Sequence, residues 1–443
     1  MSENQTHMIA SWVARTKADD IPDNVFAWAR HCVLDWIAVT IAGANDPDVN
    51  KLVDLALSSG FGTARVIGHG TGFESGWSVA INGMAGHVLD YDDVNERMVG
   101  HPTAAILPAI LTAAQEEGSP ARDLLAALVV GHQVASALGA LMGPGHYAAG
   151  FHATATLGAI AAACGVGHLL RLDTDQQAHA IGFATAQAAG LKAMFGTSAK
   201  PFQVGRAAQA GYLAARIAAS GMTARTDALE AENGFISTHA QKNAVDLEIA
   251  PDPDFAITRT LFKFHAACYL THATMDALAG LRRRHNLSAD DVRAIRLQVH
   301  PGILGSCNIP DPQTALETKF SLRHTAAMAV AGTDTAGLAS YSDDMAAHPG
   351  LIDLRNRVTV EPQDWPQDRM MIGIAEIDTA DGQTLTAQGD SGRPLRDINN
   401  QWRRLSDKAL TLVSPVTGKE KARALIDAVA SFDTTSALME ACP

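Results

Sequence analysis

The stretch IPDNVFAWARHCVLDWIAVTIAG, residues 21–43, indicates what kind of fold this 443-residue chain adopts. Its apolar residues recur at mixed three- and four-residue spacings, with Pro22 suited to a first helical turn and Gly43 to a stop. A helix that is apolar around most of its circumference is surrounded by other helices. The pattern therefore predicts a helix in the interior of a helical bundle.

Alanine- and glycine-rich patterns of the same kind continue from Met8 to about Thr260. Small residues allow helix axes to approach closely, so this part of the chain is predicted to form a compact bundle. A helical pattern returns after GDSGRPLRD, from about Ile398 onward. These final helices are expected to pack on the first bundle.

A different pattern lies between these helical parts. Beyond Ala250 the segments VRAIRLQVHPG, LRNRVTVEPQ and MIGIAEIDTADGQTLTAQ alternate with a period of two, and ADG in the last segment is a hairpin signal. Helices are predicted between them at about 269–285 and 319–350. We therefore predict a mainly α protein with a large all-helical domain (residues 1–260 and 398–443) and a smaller α+β domain (residues 265–390).

Composition excludes several classes of protein. Hydrophobic residues make up 47% of the chain and charged residues 18%, which predicts a folded protein. The formal charge of -13 and the lack of a basic tract argue against nucleic acid as a partner. The five cysteines are widely spaced and form no CxxC pair, which favours a reducing cytoplasm over a disulfide framework. No signal-peptide pattern is present, and the apolar run at residues 123–143 contains His132 and Gln133, so no membrane span is predicted.

The segment GHVLDYDDVNERMVGHP, residues 86–102, contains four acids and two histidines within an alanine-rich sequence. An EF-hand beginning at Asp90 is excluded, because Val94, Asn95 and His101 occupy positions that need oxygen ligands or glycine. A transition-metal site is possible in principle, but His87 and Asp90 provide two ligands and no second cluster completes them. The remaining alternative is a helix C-terminus with solvated acids.

Other polar, glycine-marked junctions between apolar helices weigh against that last alternative. GPGHYAAGFHATATLG contains His146 and His152, and FGTSAKPFQVGRAAQAG contains Lys200, Gln203 and Arg206. Several junctions that converge at the ends of a bundle can form a pocket whose helix N-termini favour anions. Two further junctions add cationic and imidazole side chains: LFKFHAACYLTHATMDAL (Lys263, His265, His272) and PQTALETKFSLRHTAAMAV (Lys319, Arg323, His324). For Lys319 and Arg323 in the second junction, the favoured interpretation is a solvated helix face.

Several motifs in order resemble those of the MmgE/PrpD family. HCVLDWIAVTIAG resembles the family's LLDxxGxxxAG helix, NGMAGHVLDYDD…GHP its NGxxAHxLDxDD…HP signature, and GFHATATLG its GxHPTxTxG stretch. KFHAACYLTH, ETKFSL and GDSGRPL are similar to its later motifs KxYPxCxxxH, AKFSxxY and GxPxxPL. Activities known in the family include 2-methylcitrate dehydratase, cis-aconitate decarboxylase and iminodisuccinate epimerase.

The resemblance implies a homodimer with a metal-free and cofactor-free site between an all-helical domain and a smaller α+β domain. By motif, the implied catalytic residues are Asp90, His101, His152, Lys200 and His272. Departures from the family pattern bear on the substrate: Ala153 replaces proline, His265 and Ala266 replace Tyr-Pro, and Val94 and His324 stand where decarboxylase-like members carry threonine and tyrosine. The 93–101 segment and GHYAAGFHATATLG are closer to the epimerase branch.

The family's reactions share one chemical problem, a proton or carboxylate that moves at a carbon next to a carboxylate. The predicted function is therefore a metal-independent lyase or epimerase that acts on a small di- or tricarboxylate. Lys200 and a protonated histidine can neutralise the negative charge that develops on the substrate during the reaction. Asp90, His101 or His152 can act as the base that transfers the proton. We predict that Asp90 orients or shares a proton with a histidine, whereas Asp92 and Asp93 hold the loop by capping and turn bonds.

We predict that Lys263, Arg206 and His324 bind the carboxylates of the substrate. Two alternatives from other classes remain open on sequence alone: a non-catalytic polycarboxylate-binding protein, and a metal-dependent hydro-lyase.

Overall fold

The computed structural model of the protein describes residues 4–240, 249–250 and 254–443. Helices predominate, which confirms the prediction of a mainly α protein. The chain divides into two compact units. Unit 1 consists of Met1–Phe262 and Arg396–Pro443, and unit 2 of Lys263–Leu395.

Unit 1 is a helical bundle. Its first helices are α1 (Gln5–Arg15), α2 (Asp23–Gly43), α3 (Pro47–Ser59), α4 (Ser75–Ala85), α5 (Pro102–Glu116), α6 (Ala121–Ala148), α7 (Ala153–Leu169), α8 (Thr174–Thr185), α9 (Ala199–Ala219) and α10 (Phe235–His239). Helix α2 is surrounded as its pattern predicts, since Leu34, Trp36 and Val39 along its length are at most 1% exposed.

Small residues bring helices of unit 1 into backbone contact. A Cβ atom on Gly83 of α4 would lie 2.8 Å from the Cα of Gly205 in α9. One on Gly205 would lie 2.1 Å from the carbonyl oxygen of Ala80. Glycine is therefore required where α4 and α9 cross, and this crossing brings the end of α4 near the start of α9.

Among the described residues, two helices of unit 1, α2 and α6, are long and apolar enough to cross a membrane. Within the fold, 83% and 94% of these stretches is buried. Such burial is typical of core helices in a soluble protein. The structure thus supports the prediction that these apolar runs pack against other helices.

A short antiparallel pair, β1 (Ala64–Val66) and β2 (Gly70–Phe73), interrupts the helices of unit 1. The sequence pattern predicted helix almost throughout this region and did not predict the hairpin. Strands of three and four residues are too short to show a period of two. The turn depends on Gly68 and Gly70, whose φ angles are +85° and +79°.

Unit 2 combines helices with a four-stranded sheet. Its helices are α11 (His272–His285), α12 (Leu304–Cys307), α13 (Ala315–Lys319), α14 (Leu322–Ala331), α15 (Asp343–Ala346) and α16 (Pro349–Asn356), and its strands are β3 (Val292–Val299), β4 (Val358–Pro362), β5 (Ile372–Thr379) and β6 (Thr384–Asp390). The strand order is β4-β3-β5-β6, with β3 parallel to β4 and antiparallel to β5. Strands β5 and β6 form the hairpin predicted from ADG.

The helical stretch predicted at 319–350 is divided in the structure. Helix α14 ends at Ala331, the following Gly332 adopts a left-handed φ of +75°, and the next α-helix begins at Asp343. A glycine in this conformation is a common helix terminator, because a side chain there would clash with the backbone.

The chain ends in α17 (Ile398–Thr417), α18 (Lys419–Ser431) and α19 (Thr435–Ala441), which belong to unit 1. Helix α17 packs on α2, where Gln401 hydrogen-bonds His31 at 2.8 Å and Lys408 pairs with Asp35 at 2.6 Å.

Candidate active site

The acidic segment 86–101 is a partly buried connection between α4 and α5. Asp92 and Asp93 are 0% and 1% exposed, so the interpretation as a helix end with solvated acids is wrong for these two residues. Asp90 has a φ of 51°, a left-handed conformation that is uncommon for residues with a side chain. Such strained residues persist where the surrounding structure holds them, and they cluster at functional sites.

Asp90 lies beside two potential cations. Its Oδ1 atom is 2.9 Å from the Nζ of Lys200, in the first turn of α9, and 3.7 Å from the Nε2 of His101. The three side chains are partly accessible, at 31%, 19% and 16% exposure for Asp90, Lys200 and His101. They are therefore the members of the cluster that a ligand can reach.

Backbone contacts orient His101 at the N-terminus of α5. Its Nδ1 atom lies 2.8 Å from the carbonyl oxygen of Asp93, and its backbone N–H donates to Thr154 at 3.1 Å. A carbonyl oxygen accepts only, so Nδ1 carries a proton. The Nε2 atom lies on the side of Asp90, 3.7 Å from its Oδ1, and the side chain is 16% exposed.

A second histidine, His87, lies behind His101. Its Nδ1 atom is 2.9 Å from a carboxylate oxygen of Asp92, and both side chains are fully buried. The two imidazole rings are 4.7 Å apart. A carboxylate that accepts from one ring nitrogen fixes the tautomer and orientation of the ring.

This arrangement differs from the predicted role of Asp92 as a loop-holding residue. Neither a helix nor a strand places residues five positions apart side by side. The spacing of His87 and Asp92 in the sequence therefore did not predict that they would pair. The pair forms because the chain turns sharply at Asp90.

Asp93 belongs to a separate buried network. Its carboxyl accepts from the backbone N–H of Thr103 at 3.3 Å and from the Thr103 hydroxyl, which also lies 2.9 Å from the Nε2 of His132. Burial, opposed by the Thr103 hydroxyl bond and reinforced by Asp35, raises the pKa of Asp93 to about 8. The predicted capping role fits this contact with the first turn of α5.

His152 caps the start of α7 and is 3% exposed. Burial lowers the pKa of His152 to about 2, and the neighbouring basic side chains of His87, Lys200 and His101 act in the same direction. Asp90 opposes this shift. His152 is therefore a neutral imidazole at ordinary pH, and its buried Nδ1 has no hydrogen-bond partner among the described residues.

The structure does not bring Arg206 into this cluster. Arg206 is exposed on α9, six positions after Lys200, and its guanidinium donates to the side chain of Gln209. Six residues on a helix correspond to about 240° of rotation, which turns Arg206 away from the face that carries Lys200.

Unit 2 groups its own predicted residues. Lys263 and His272 are buried, at 1% and 2% exposure. Burial first, and then the charges of His265 and Lys263, hold the pKa of His272 well below its usual range. His265 contacts Thr335 at 2.6 Å and Asp276 at 3.3 Å.

His324 lies apart from that group, on α14. Burial, with a smaller contribution from Arg355, lowers the pKa of His324 to about 4. Neither ring nitrogen has a hydrogen-bond partner among the residues that the structure describes.

Within the described part of the chain, two sets of side chains, both in unit 1, have donor atoms close enough for a metal ion. His87, Asp90, Asp92 and His101 form one set, and Cys32, Asp93 and His132 the other, with the donor atoms of each set within 4.8 Å of one another. In the first set the Lys200 ammonium already neutralises Asp90 at 2.9 Å. A divalent ion there would have to displace that ammonium or be repelled by it.

The MmgE/PrpD N-terminal domain matches residues 7–248, and the MmgE/PrpD C-terminal domain matches residues 265–434. The chain belongs to the MmgE/PrpD family. The resemblance identified from motifs is thereby confirmed.

Curated MmgE/PrpD relatives match nearly the whole chain. Cis-aconitate decarboxylase from Aspergillus terreus (strain NIH 2624 / FGSC A1156) is 28% identical over 97% of this chain and 93% of its own length. The proteins of the same name from Mus musculus and Homo sapiens are 25% and 27% identical, over 96% and 82% of this chain and 92% and 75% of their own lengths.

Proposed function

We propose that this protein is a metal-independent lyase that acts next to a carboxylate of a small di- or tricarboxylate, by decarboxylation or dehydration. The observation that carries the proposal is the accessible cluster of Asp90, Lys200 and His101 in unit 1. Family membership and relatives named cis-aconitate decarboxylase support the lyase class.

The cluster supplies what such a reaction requires. In decarboxylation a carbon–carboxylate bond breaks, carbon dioxide leaves, and the electron pair stays on the carbon until a proton arrives. In dehydration a base removes a proton and hydroxide leaves from the neighbouring carbon. Both pass through an enolate-like anion, so a fixed cation and a proton carrier lower the barrier.

Roles follow from position and charge. Lys200 is the fixed cation, because its ammonium lies 2.9 Å from Asp90 and can share its charge with a substrate carboxylate. His101 is the proton carrier, because its Nε2 side is accessible and its tautomer is set by the Asp93 carbonyl. His152 serves as a neutral hydrogen-bonding imidazole. His87 and Asp92 act through His101 as positioning residues.

The decisive experiment screens cis-aconitate, citrate, malate and aspartate-like acids in heavy water by NMR. Decarboxylation gives carbon dioxide and a deuterated product, dehydration forms an alkene, and epimerisation incorporates α-deuterium into an unchanged skeleton. We expect Lys200→Met and Asp90→Asn to reduce turnover by about 10²- to 10⁴-fold. Lys51→Met is a matched control, because Lys51 forms a lysine–aspartate contact of 2.7 Å on the surface.

Two outcomes would overturn the proposal. Turnover within a few fold of wild type in both Lys200 and Asp90 variants would remove the cluster from the chemistry. Ligand-induced stabilisation without product on prolonged incubation would instead identify a polycarboxylate-binding protein.

A metal-dependent hydro-lyase is the second candidate, favoured by the four donors His87, Asp90, Asp92 and His101. It predicts loss of turnover with a chelator and recovery with one defined divalent ion. The proposed lyase predicts no response to either treatment.

The remaining roles are proposals, some from the residues themselves and some from the family resemblance. We propose a homodimer in the cytoplasm that binds neither nucleic acid nor membranes, with His272 as a catalytic residue and Lys263 and His324 as substrate-binding residues. Sedimentation velocity tests the dimer, and single substitutions of the three residues in the same NMR assay test their roles.

A further inference from the structure

A short segment, residues 190–195, crosses unit 1 beside His152, and we name it the strap. Backbone bonds hold it to the start of α7: the N–H of His152 donates to the carbonyl of Gly190 at 3.0 Å, and that of Lys192 donates to Gly150 at 2.9 Å. A Cβ on Gly190 would lie 2.6 Å from the Cβ of Ala155, so only glycine permits this approach.

Side chains fix the strap on its other flank. The amide of Gln203, on α9, donates to the carbonyl of Leu191 at 3.3 Å and accepts from the Leu191 N–H. The ammonium of Lys192 donates to the carbonyl of Tyr147 at 3.1 Å and lies 3.7 Å from the centre of its ring. The strap is therefore anchored to both helices that carry the candidate residues His152 and Lys200.

The end of the strap places one aromatic ring at the site. A 3₁₀ turn over Lys192–Met194, closed by the Phe195 N–H on the Lys192 carbonyl at 2.9 Å, directs Phe195 toward His152. The two rings meet edge to face with centroids 5.1 Å apart and an interplanar angle of 83°. The Nζ of Lys200 lies 5.5 Å from the centre of the same Phe195 ring.

Phe195 is 38% exposed, so part of its ring contacts His152 while the rest remains available to a ligand. The ring packs against His152, which is 3% exposed, and burial of an imidazole disfavours its charged form. The charged groups that act on His152 are His87, His101 and Lys200, which also disfavour its cation, and Asp90, which favours it.

We infer that Phe195 is a specificity-determining residue: its ring keeps water from His152 and Lys200 and selects ligands with a flat, unsaturated carbon skeleton over ligands with a hydroxyl at that place. This inference rests on the proposed function for the ligand class. An aromatic face contacts a flat apolar skeleton favourably, whereas a hydroxyl buried against it lacks a hydrogen-bond partner.

The experiment compares Phe195→Ala with wild type and with Phe202→Ala. Phe202 is a matched control because it is also 38% exposed and lies seven positions after Phe195 in the sequence. Calorimetric titration measures the affinities for cis-aconitate, which is unsaturated, and citrate, which carries a hydroxyl. We expect Phe195→Ala to reduce the cis-aconitate-to-citrate affinity ratio by about three- to tenfold and Phe202→Ala to leave it unchanged.

A second measurement on the free protein separates this inference from the proposed function. NMR titration of the His152 ring should show a higher pKa in Phe195→Ala than in wild type, because water reaches the imidazole. An unchanged His152 pKa overturns the shielding role, and an unchanged affinity ratio overturns the specificity role. Binding of neither acid by any variant, with the expected pKa rise, refutes the ligand class of the proposed function and leaves the shielding role standing.

Discussion

The buried ion pair between Lys408 and Asp35 offers a direct test of how the site loop is held. The Nζ of Lys408 lies 2.6 Å from Oδ1 of Asp35 and 2.7 Å from the carbonyl oxygen of Tyr91. Lys408 and Asp35 are each 2% exposed, and the ammonium lies 4.0 Å from the centre of the Tyr91 ring. Tyr91 connects Asp90 to Asp92, so this contact supports both acids of the site.

Lys408→Met keeps the length of the side chain but removes the ammonium from beside Asp35. Removal of one partner from a buried ion pair costs about 3–5 kcal/mol, because the remaining charge stays in an apolar environment. The double variant Asp35→Asn/Lys408→Met removes both charges. We expect it to recover most of the lost stability, since two neutral groups have a much smaller desolvation cost.

Urea unfolding followed by circular dichroism gives these free energies, with Lys51→Met as the control. Lys51 pairs with Asp48 on the surface, where such a pair contributes roughly 0–1 kcal/mol. A loss below about 1 kcal/mol in Lys408→Met, or a double variant no more stable than the single one, would refute the buried-charge argument.

Further predictions concern pH and ligands. Because the pKa of Asp93 rises to about 8 from 3.8 on folding, the folded state binds its proton more tightly, and stability from this group falls as pH rises from about 4 to about 8. Unfolding of Asp93→Asn at several pH values should lack that slope. Because the pKa of His132 falls to about 3 from 6.5, stability falls as pH drops below 6.5, by about 1.4 kcal/mol per pH unit, and His132→Gln should be less sensitive to acid. An equal acid slope in that variant would contradict the assignment. Turnover should survive dialysis against EDTA, and a loss restored by one divalent ion would instead favour the metal-dependent candidate.

Local patterns predicted the elements that are long or carry distinctive turns. Helix α2 and the β5–β6 hairpin follow from periodicity and from ADG, because both signals depend on residues close in sequence. The same patterns missed the β1–β2 hairpin and the division of the 319–350 stretch. There, short strands and a single left-handed glycine decide the backbone path, and neither produces a period.

The junction residues of unit 1 were singled out from their chemistry, and the structure brings Asp90, His101, His152 and Lys200 together. It does not bring Arg206 to them, because periodicity around α9 turns that residue to another face. The His87–Asp92 pair needed the left-handed turn at Asp90, which the sequence does not reveal, since any residue type other than glycine is uncommon in that conformation.

The sequence by itself determined the family, the predominance of helices and the positions of the polar junctions, since these depend on motifs and spacings within a few turns of chain. Only the tertiary structure decided which protons and charges the site holds. Lys408 reaches Tyr91 from 317 positions away, and Phe195 covers His152 from a separate segment. Burial and charge proximity set a pKa, and both depend on groups that are distant in sequence and become neighbours only when the chain folds.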